Sequence, residues 1–332
     1  MSLLHIAHAT VSTGAASQFV GGRFPIGRVE RCRLIRRGFN DSYRIDAVAG
    51  RFVLRLARAG RRHASELAEE AAHLDHLMRR GVPVAAPVRG RDGRFEQIAE
   101  AADGERGALL FAFVPGCPFR ASPADAAATG ETLARVHVVS ESFAGAGARP
   151  ELDLDRLLNR PLTSLLSLLD GRPEAHALLN QLADRLRACI TKQAPQLTRG
   201  YCHGDCHGGN AHFGADGVAA FFDFDDGGPG WLAYDLSVFL WGAYLSGSSE
   251  RRALWQYFLR GYARRRRIAS ADLEAVPFFI AIRHLWLLGE YAAGAEVWGT
   301  EWLGEWFDRQ LTFLKDWQTN QLTDPLGLAS SG

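Results

Sequence analysis

The sequence predicts an α+β protein in which a small β-rich domain is followed by a larger, mainly helical domain. Two-residue alternation and turn residues dominate up to about residue 112, and helical spacing of apolar residues dominates after it. With 332 residues, the chain is long enough to bury two hydrophobic cores. We therefore predict a first domain at residues 1–112 and a second domain at residues 113–332.

Short strands bounded by turn residues form the first predicted domain. The runs 42–47 and 51–56 alternate apolar and polar side chains on either side of a turn at Gly50. A third run, 108–114, is apolar throughout and short enough to be a buried strand. The apolar faces of the first two runs are Tyr43, Ile45 and Ala47, and Phe52, Leu54 and Leu56.

One helix is predicted between these strands. Ser65 is its predicted N-cap, because a serine hydroxyl can accept a hydrogen bond from the first turn. Gly81 and Pro83 are expected to end it. Its apolar stripe consists of Leu67, Ala71, Leu74 and Met78.

The second domain has helices on both sides of an irregular segment. Residues 122–125 are a typical helix start, with a capping serine, a proline in the first turn and an acidic residue. Further helices are predicted at residues 154–169 and 175–190, and from residue 236 onward. Residues 201–226 interrupt them with two loops and a short strand.

Composition and charge argue against several classes of partner. Lys and Arg number 38 against 37 for Asp and Glu, so the net charge gives no reason to expect nucleic acid or an acidic membrane. The five cysteines are an odd number scattered along the chain, which argues against a disulfide framework. Neither a signal peptide nor a membrane-spanning apolar run is visible, so we expect a cytoplasmic protein.

Three polar residues have the types and the order that phosphoryl transfer needs. Asp205 can accept or orient the proton of an attacking hydroxyl group. Asn210 and Asp223, the latter at the end of the apolar run 218–222, can offer oxygen ligands to one Mg²⁺ ion. For this reaction a protein needs mainly to position the reactants and to neutralise the charge on the phosphates.

The spacing of these residues is that of protein kinases. The distance in sequence from Asp205 to Asn210 equals that of the kinase catalytic loop, and His203 stands in the place of that loop's histidine. Asp223 and Phe224 stand where the metal-binding Asp-Phe pair comes. The sequence therefore predicts a two-lobed protein-kinase-like fold with a β-rich N-lobe and a mainly helical C-lobe.

Over roughly residues 28–320, the chain resembles the aminoglycoside phosphotransferase and choline kinase superfamily. It looks most like bacterial stress response kinase A, a Ser/Thr kinase, and type II homoserine kinases. The segment 69–88 is also similar to stress response kinase A. The most specific segments are residues 203–210, 223–226, 228–229 and 235–236.

The resemblance implies an ATP- and Mg²⁺-dependent phosphotransferase. Asp205 would be the catalytic residue, and Asn210 and Asp223 would hold magnesium on the phosphates. Asp235 would brace the catalytic loop, and Asp225 would support the metal or the substrate. His203 is expected to be a structural histidine that orients the loop.

The resemblance also implies a grip on the nucleotide phosphates. Arg55 would contact the phosphates and pair with Glu70 of the inserted helix. Kinases usually have lysine at this position, and the planar, forked guanidinium is not equivalent to an ammonium group. The loop before it has one glycine instead of three, so Asn40 and Ser42 would have to serve as donors.

The adenine and the acceptor are the less defined parts of the expected site. The backbone from Ala112 to Val114 would meet the adenine. The similarity to stress response kinase A favours a protein serine or threonine as acceptor, and homoserine, an amino alcohol or an aminoglycoside-like molecule is the alternative. Fold does not fix substrate, so the sequence leaves the acceptor open.

Two other functions are compatible with parts of the sequence. A nucleotide-binding pseudo-enzyme that acts through a partner is favoured only by the unusual Arg55. A zinc hydrolase would explain the cysteines and histidines of the central segment but not Asn210. The residues of that alternative are Cys202, His203, Cys206, His207 and His212.

Two features near the C-terminus allow more than one interpretation. Trp302 and Trp306, four residues apart, are predicted to pack in the core, although tryptophans can also surround an organic cation. Arg283 and His284 could face an acidic acceptor or solvent, and the sequence does not decide between these.

Overall fold

The computed structural model describes residues 6–247 and 249–321. The chain falls into two compact units. The first comprises residues 1–118, 138–150 and 211–225, and the second comprises residues 119–137, 151–210 and 226–332. The boundary predicted at residue 112 stays a prediction.

The described elements are mostly strands in the early part of the chain and mostly helices later. They begin with α1 (Thr13–Arg23), β1 (Val29–Arg36), β2 (Asn40–Ala47), β3 (Gly50–Ala57), α2 (Ala64–Arg79), β4 (Gln97–Ala101), β5 (Gly104–Ala112), β6 (Cys117–Pro118) and α3 (Pro123–Ser140). They continue with α4 (Arg160–Leu166), α5 (Pro173–Gln193), β7 (Arg199–Cys202), β8 (Ala211–Phe213), β9 (Ala219–Phe221), β10 (Gly228–Trp231), α6 (Leu232–Leu245), α7 (Arg251–Ala263), α8 (Ser270–Ala293), α9 (Ala295–Trp298) and α10 (Glu305–Asp316). None of the described helices combines the length and the apolar character needed to cross a membrane.

A five-stranded antiparallel sheet in the order β1-β2-β3-β5-β4 forms the centre of the first unit. Strand β2 buries every second side chain, which confirms the face predicted from its alternation. Strand β3 buries its predicted apolar face and, in addition, Arg55. This sheet and the helical second unit confirm the predicted α+β class.

Helix α1 has no counterpart in the sequence prediction. It buries only Ala16 and Val20, because glycines and small residues leave it without an apolar stripe. The Ser12 hydroxyl caps it by accepting a hydrogen bond from the N–H of Ala15 at 3.2 Å. Val20 and the following Phe24 pack into the core of the sheet, so tertiary contacts hold this helix in place.

Helix α2 confirms the inserted helix but corrects two of its residues. It begins at Ala64, so Ser65 lies inside the first turn and is not the N-cap. Met78 is 39% exposed, whereas Leu77 is fully buried. The period of 3.6 residues explains the correction, because steps of four must alternate with steps of three, as from Leu74 to Leu77.

Helices make up most of the second unit, and α6 and α8 are buried on nearly all sides. The predicted start of α3 is confirmed, since the Ser122 hydroxyl accepts a hydrogen bond from the N–H of Asp125 at 3.1 Å. The helix predicted at residues 154–169 is confirmed for residues 154–166, where the π-helical segment Asp155–Asn159 continues directly into α4. Pro161 lacks an N–H and therefore suits the first turn of α4.

Trp302 and Trp306 were expected in the core but are only partly buried. Their rings contact each other edge to face with centroids 6.1 Å apart, and both contact Tyr291 of α8. They do not share a helix, because Trp302 lies in a 3₁₀ turn at Glu301–Leu303 and Trp306 lies in α10. The non-helical Gly304 separates the two elements, so the helical spacing predicted for the pair does not apply.

A buried ion pair ties the start of β2 to β5. Arg106 and Asp41 are both fully buried, with Nη2 2.9 Å from Oδ2. Arg106 also donates to the backbone carbonyls of Ala57 and Ala9, each at 2.8 Å. Nε2 of His8 lies 3.2 Å from the other carboxylate oxygen of Asp41. The network fixes the start of β2, where the predicted phosphate donors lie.

Replacing Arg106 by methionine should leave the carboxylate of Asp41 buried without its cation. We expect the free energy of unfolding to fall by about 3–5 kcal/mol, measured by urea denaturation. The control is Arg309→Met, which removes an exposed partner of Glu305 and should change little. Equal stability of the two variants would contradict the proposed importance of the buried pair.

Candidate active site

Arg55 and Glu70 form a buried ion pair in the first unit. Arg55 points from β3 and Glu70 from α2, and Nη2 donates to Oε2 at 2.7 Å. The two residues are 5% and 2% exposed, so the pair is unlike the exposed pairs that contribute little to stability. The pairing is the one expected from the sequence, and its role at a nucleotide stays a prediction.

The carboxylate of Asp225 is enclosed by donors from the first unit. Nδ2 of Asn40 donates to Oδ2 at 3.0 Å, and Nε of Arg62 donates to Oδ1 at 3.2 Å. Nη2 of Arg55 lies 3.6 Å from the same Oδ1. Burial by itself would raise the pKa of Asp225, but the surrounding arginines, Arg62 first, hold it well below its ordinary value. Asp225 is therefore a fixed anion that organises its neighbours, including the predicted phosphate donor Asn40.

Asp223 differs from Asp225 in backbone and in exposure. Its φ of 66° lies in the left-handed region, which aspartate tolerates better than most residues but which is still strained. The side chain is 32% exposed, and Oδ1 lies 3.7 Å from Nη1 of Arg55. A partly exposed carboxylate suits a cation that prefers hard oxygen ligands, so the donor chemistry fits Mg²⁺.

Two arginines that contact Asp225, namely Arg62 and Arg149, were missed by the sequence prediction. Arg149 donates to the backbone carbonyls of Phe224, at 3.3 Å, and Asp225, and its Nη1 lies 3.6 Å from Glu70. It thereby joins the buried ion pair to the segment that carries the predicted metal ligand. Arg62 stands in a basic pair just before α2, which was an available signal. Arg149 lies in a loop without any pattern that could have identified it.

The remaining residues predicted for the nucleotide also lie in the first unit. Ser42 is partly buried on β2. The N–H of Ala112 donates to the carbonyl of Ala86 at 2.8 Å, and the carbonyl of Val114 accepts from Nδ1 of His212 at 2.7 Å. Both of these backbone groups are thus engaged within the unit, and contact with adenine stays a prediction.

In the second unit, Asp235 of α6 contacts the loop that follows β7. Its fully buried carboxylate accepts hydrogen bonds from the N–H of His203 at 2.6 Å and from the N–H of Gly204 at 2.8 Å. Nε2 of His137 lies 2.9 Å from the same carboxylate. Three donors on one buried anion supply the geometry that the predicted bracing role requires.

Gly204 allows the tight turn that leads into Asp205. Its φ is 83°, a conformation that glycine adopts without strain. A Cβ atom at this position would lie 2.2 Å from the carbonyl oxygen of Asp226. The turn also brings Nδ1 of His203 to 3.2 Å from the N–H of Asp205. The His-Gly-Asp sequence therefore has a steric basis in this unit.

Asp205 is held from two sides within the second unit. Nδ2 of Asn210 donates to Oδ2 and to the backbone carbonyl of Asp205, both at 2.8 Å. Nη2 of Arg283 donates to Oδ1. Burial by itself would raise the pKa of Asp205, but Arg283 and two histidines hold it well below its ordinary value. The side chain is 18% exposed, so the carboxylate remains accessible to a hydroxyl group.

Arg283 resolves the question that the sequence left open. It is 3% exposed on α8 and faces an acidic side chain of the chain itself, not solvent. The adjacent His284 is also buried, burial lowers its pKa to about 3, and its Nδ1 accepts a hydrogen bond from Trp241 at 3.3 Å. An arginine inside the apolar run of α8 was the signal that could have placed Arg283 in the site.

The zinc alternative finds no support among the described residues. They contain no cluster of three or more histidine, cysteine or acidic side chains that could hold a metal ion. Sγ of Cys206 donates to the carbonyl of Asp235 at 2.9 Å, and burial raises the pKa of the Cys202 and Cys206 thiols well above the ordinary value. Zinc binds the thiolate, which this environment disfavours.

Comparison with known proteins places the chain among phosphotransferases. Residues 31–268 match the family described as "Phosphotransferase enzyme family" (APH). A protein of Deinococcus radiodurans described as uncharacterized is 40% identical over 288 residues, which cover 86% of this chain and 84% of the relative. A homoserine kinase of Hyphomonas neptunium is 27% identical over 81% of this chain and 83% of its own length.

A solved structure has the same fold. Amicoumacin kinase hAmiN, in complex with AMP-PNP, Ca²⁺ and Ami, matches with a TM-score of 0.77 at 19% identity. The match covers 95% of each chain. It confirms the kinase-like fold that the sequence predicted.

Replacing Asp235 by asparagine tests whether its carboxylate stabilises the loop through the N–H groups of His203 and Gly204. The amide oxygen can replace only one of the two carboxylate oxygens, and its NH₂ group would face backbone donors. We expect the free energy of unfolding to fall by about 1–3 kcal/mol in urea denaturation, because a buried N–H would lose its acceptor. Ser237→Ala on the same helix removes one hydrogen bond to the carbonyl of Tyr234 and is the matched control. A loss no larger than that of the control would contradict the brace.

Proposed function

Because the chain belongs to the phosphotransferase enzyme family, we propose that it transfers the γ-phosphoryl group of ATP to a hydroxyl group of a small molecule. The observation that carries the proposal is the carboxylate of Asp205, oriented by Asn210 on one oxygen and by Arg283 on the other. It lies on a loop with the kinase spacing, in a partly buried position that remains accessible.

The nucleotide phosphates are assigned to the arginines around Asp225 in the first unit, with Arg55 as the main contact. Arg55 carries the charge, and Glu70 and Asp225 fix its direction through contacts at 2.7 and 3.6 Å. A guanidinium whose rotation is fixed by two carboxylates loses little conformational freedom when it binds phosphate. Asn40 and Ser42 are the neighbouring polar groups on β2.

On the kinase spacing of the sequence, we propose Asn210 and Asp223 as oxygen ligands of a divalent cation. The nitrogen of the Asn210 amide faces Asp205, which leaves its oxygen as the ligand atom. Asp223 supplies a partly exposed carboxylate. Such an ion would neutralise charge on the phosphates during transfer.

Asp205 orients the acceptor hydroxyl in this proposal. The hydroxyl oxygen forms a bond to the γ-phosphorus, the bond to the β-phosphate oxygen breaks, and ADP leaves. Phosphoryl transfer has a loose transition state, so the hydroxyl proton can move late. The low pKa of Asp205 suits an orienting acceptor that takes this proton only as the new bond forms.

A small acceptor is better supported than a protein. The relatives include a homoserine kinase, and the structural neighbour is an amicoumacin kinase. Both names refer to small molecules, and neither supports the protein serine or threonine suggested by the resemblance to stress response kinase A. We therefore propose the small-molecule alternative and treat the protein acceptor as an outcome of the test.

The experiment is an acceptor screen with purified protein, ATP and Mg²⁺, in which ADP formation is followed. The panel contains homoserine, amino alcohols, aminoglycosides and a generic protein substrate. We expect ADP formation to depend on one class of small acceptor. Transfer to protein alone would overturn the proposed acceptor class. Nucleotide binding without any turnover would favour the pseudo-enzyme.

Asp205→Ala should slow phosphoryl transfer without weakening nucleotide binding. We expect kcat to fall by about 10²- to 10⁴-fold while the affinity for ATP stays close to that of the unchanged protein. Turnover assays and calorimetric titration with a non-hydrolysable analogue measure the two effects. The control is Asp216→Asn, an exposed turn residue in the same region of the sequence. Equal turnover of the two variants would exclude the proposed role.

Asp223→Asn should weaken only the part of nucleotide binding that depends on the metal. Asparagine tolerates the left-handed backbone of this position, so the change removes charge without new strain. We expect Mg²⁺ to improve the affinity for the nucleotide in the unchanged protein but much less in the variant. An undiminished effect of Mg²⁺ in the variant would contradict the assignment.

A further inference from the structure

We infer that Arg283 is a positioning residue for the transfer reaction, fixing the carboxylate of Asp205 in the orientation that receives the acceptor hydroxyl. The inference rests on the proposed function and adds to it a residue that the kinase motif does not include. The contacts from which it is argued lie within the second unit. They come from α8, α6 and the loop after β7.

The guanidinium of Arg283 lies over two indole rings. Its central carbon lies 4.1 Å from the ring centroid of Trp286 and 5.0 Å from that of Trp241. Cation–π contact of this kind is strongest where water is excluded, and Arg283 is 3% exposed. These contacts and the burial restrict the position of the group before any substrate binds.

The nitrogen atoms of Arg283 are directed at the catalytic loop. Nη1 lies 3.2 Å from the hydroxyl of Tyr234 and 3.4 Å from the carbonyl of Gly204. Nη2 donates to Oδ1 of Asp205. One rigid group thus holds the side chain of Asp205 and the backbone of the residue before it.

Arg283 and Asn210 act on opposite oxygens of Asp205. Asn210 donates to Oδ2 at 2.8 Å, and Arg283 donates to Oδ1. Two donors on two oxygens remove the rotation of the carboxylate about its bond to Cβ. Small displacements of a reacting group cost large factors in rate, so this restraint has a catalytic consequence.

The position of Arg283 argues against direct binding of substrate. Both terminal nitrogens are engaged by the chain, and the side chain is 4% exposed. Among the described residues, no acceptor reaches its buried Nε. A buried cation with an unsatisfied donor lowers the stability of the fold, so stability alone does not explain why Arg283 is there. This favours a functional role for the residue.

Lysine could not replace this arrangement. An ammonium group is compact and lacks the planar fork with which Arg283 reaches three acceptors beside two indole rings. Arg283→Lys keeps the positive charge beside Asp205 but loses the planar restraint. The variant therefore separates the effect of orientation from the effect of charge.

The test compares Arg283→Lys with the unchanged protein, with Asp205→Ala and with the exposed control Arg309→Lys. For Arg283→Lys we expect kcat to fall by about 100-fold, with ATP affinity and the KM for ATP nearly unchanged. Arg309→Lys should retain full turnover, since its side chain is 65% exposed. For Arg283→Ala, added guanidinium at millimolar concentration should restore part of kcat.

The outcomes distinguish this inference from the proposed function. If the unchanged protein transfers no phosphate to any acceptor, the proposed function fails. If Asp205→Ala is inactive but Arg283→Lys keeps full kcat, only the role of Arg283 is overturned. If both Arg283 variants fail to fold, Tyr234→Phe decides, because it removes one restraint on Arg283 and no charge. It should lower kcat several-fold, and an unchanged kcat would overturn the inference.

Discussion

A carboxylate removed from water must be matched by donors, and this constraint organises both units of the protein. The cost of an unmatched buried charge is several kcal/mol, so each buried acid fixes the groups around it. In the first unit, Asp225 and Glu70 are matched by arginines from β3, the start of α2 and the loop before residue 150. In the second unit, Asp235 is matched by backbone N–H groups and a histidine, and Asp205 by an amide and an arginine.

These matches explain how irregular loops can hold precise geometry. The segment around Asp225 has little regular structure, yet its carboxylate and backbone carbonyls are bound by arginines from three parts of the first unit. The loop around Asp205 is likewise fixed by α6 and α8 and not by its own hydrogen bonds alone. Asp223 differs from Asp225 and Asp235, because its backbone is strained and about a third of its side-chain surface is exposed to solvent. Strain and exposure at one carboxylate among enclosed ones are what a ligand-binding position would show.

The sequence predicted what depends on local spacing. Alternation identified the buried face of β2, and the interval from Asp205 to Asn210 identified the catalytic loop. Both patterns are contained within a few neighbouring residues. Arg149 was not assigned because its partners lie far away in sequence and no short pattern encodes such pairs. Arg283 stood out in an apolar run, but its partner Asp205 could not be named for the same reason. Helix α1 was missed for a related reason, since contacts with the sheet hold it and an apolar stripe does not. The burial of Trp302 and Trp306 was misjudged because the two residues lie in separate elements, so their four-residue spacing is not the spacing of one helix.

The central claim is that the matched acids serve the transfer of a phosphoryl group to a small hydroxyl acceptor. The most direct measurement is ³¹P nuclear magnetic resonance of a reaction containing the protein, ATP, Mg²⁺ and the acceptor under test. The account predicts a new phosphomonoester resonance that grows in equal amount with ADP. Release of inorganic phosphate alone, or intact ATP with every small acceptor, would contradict it.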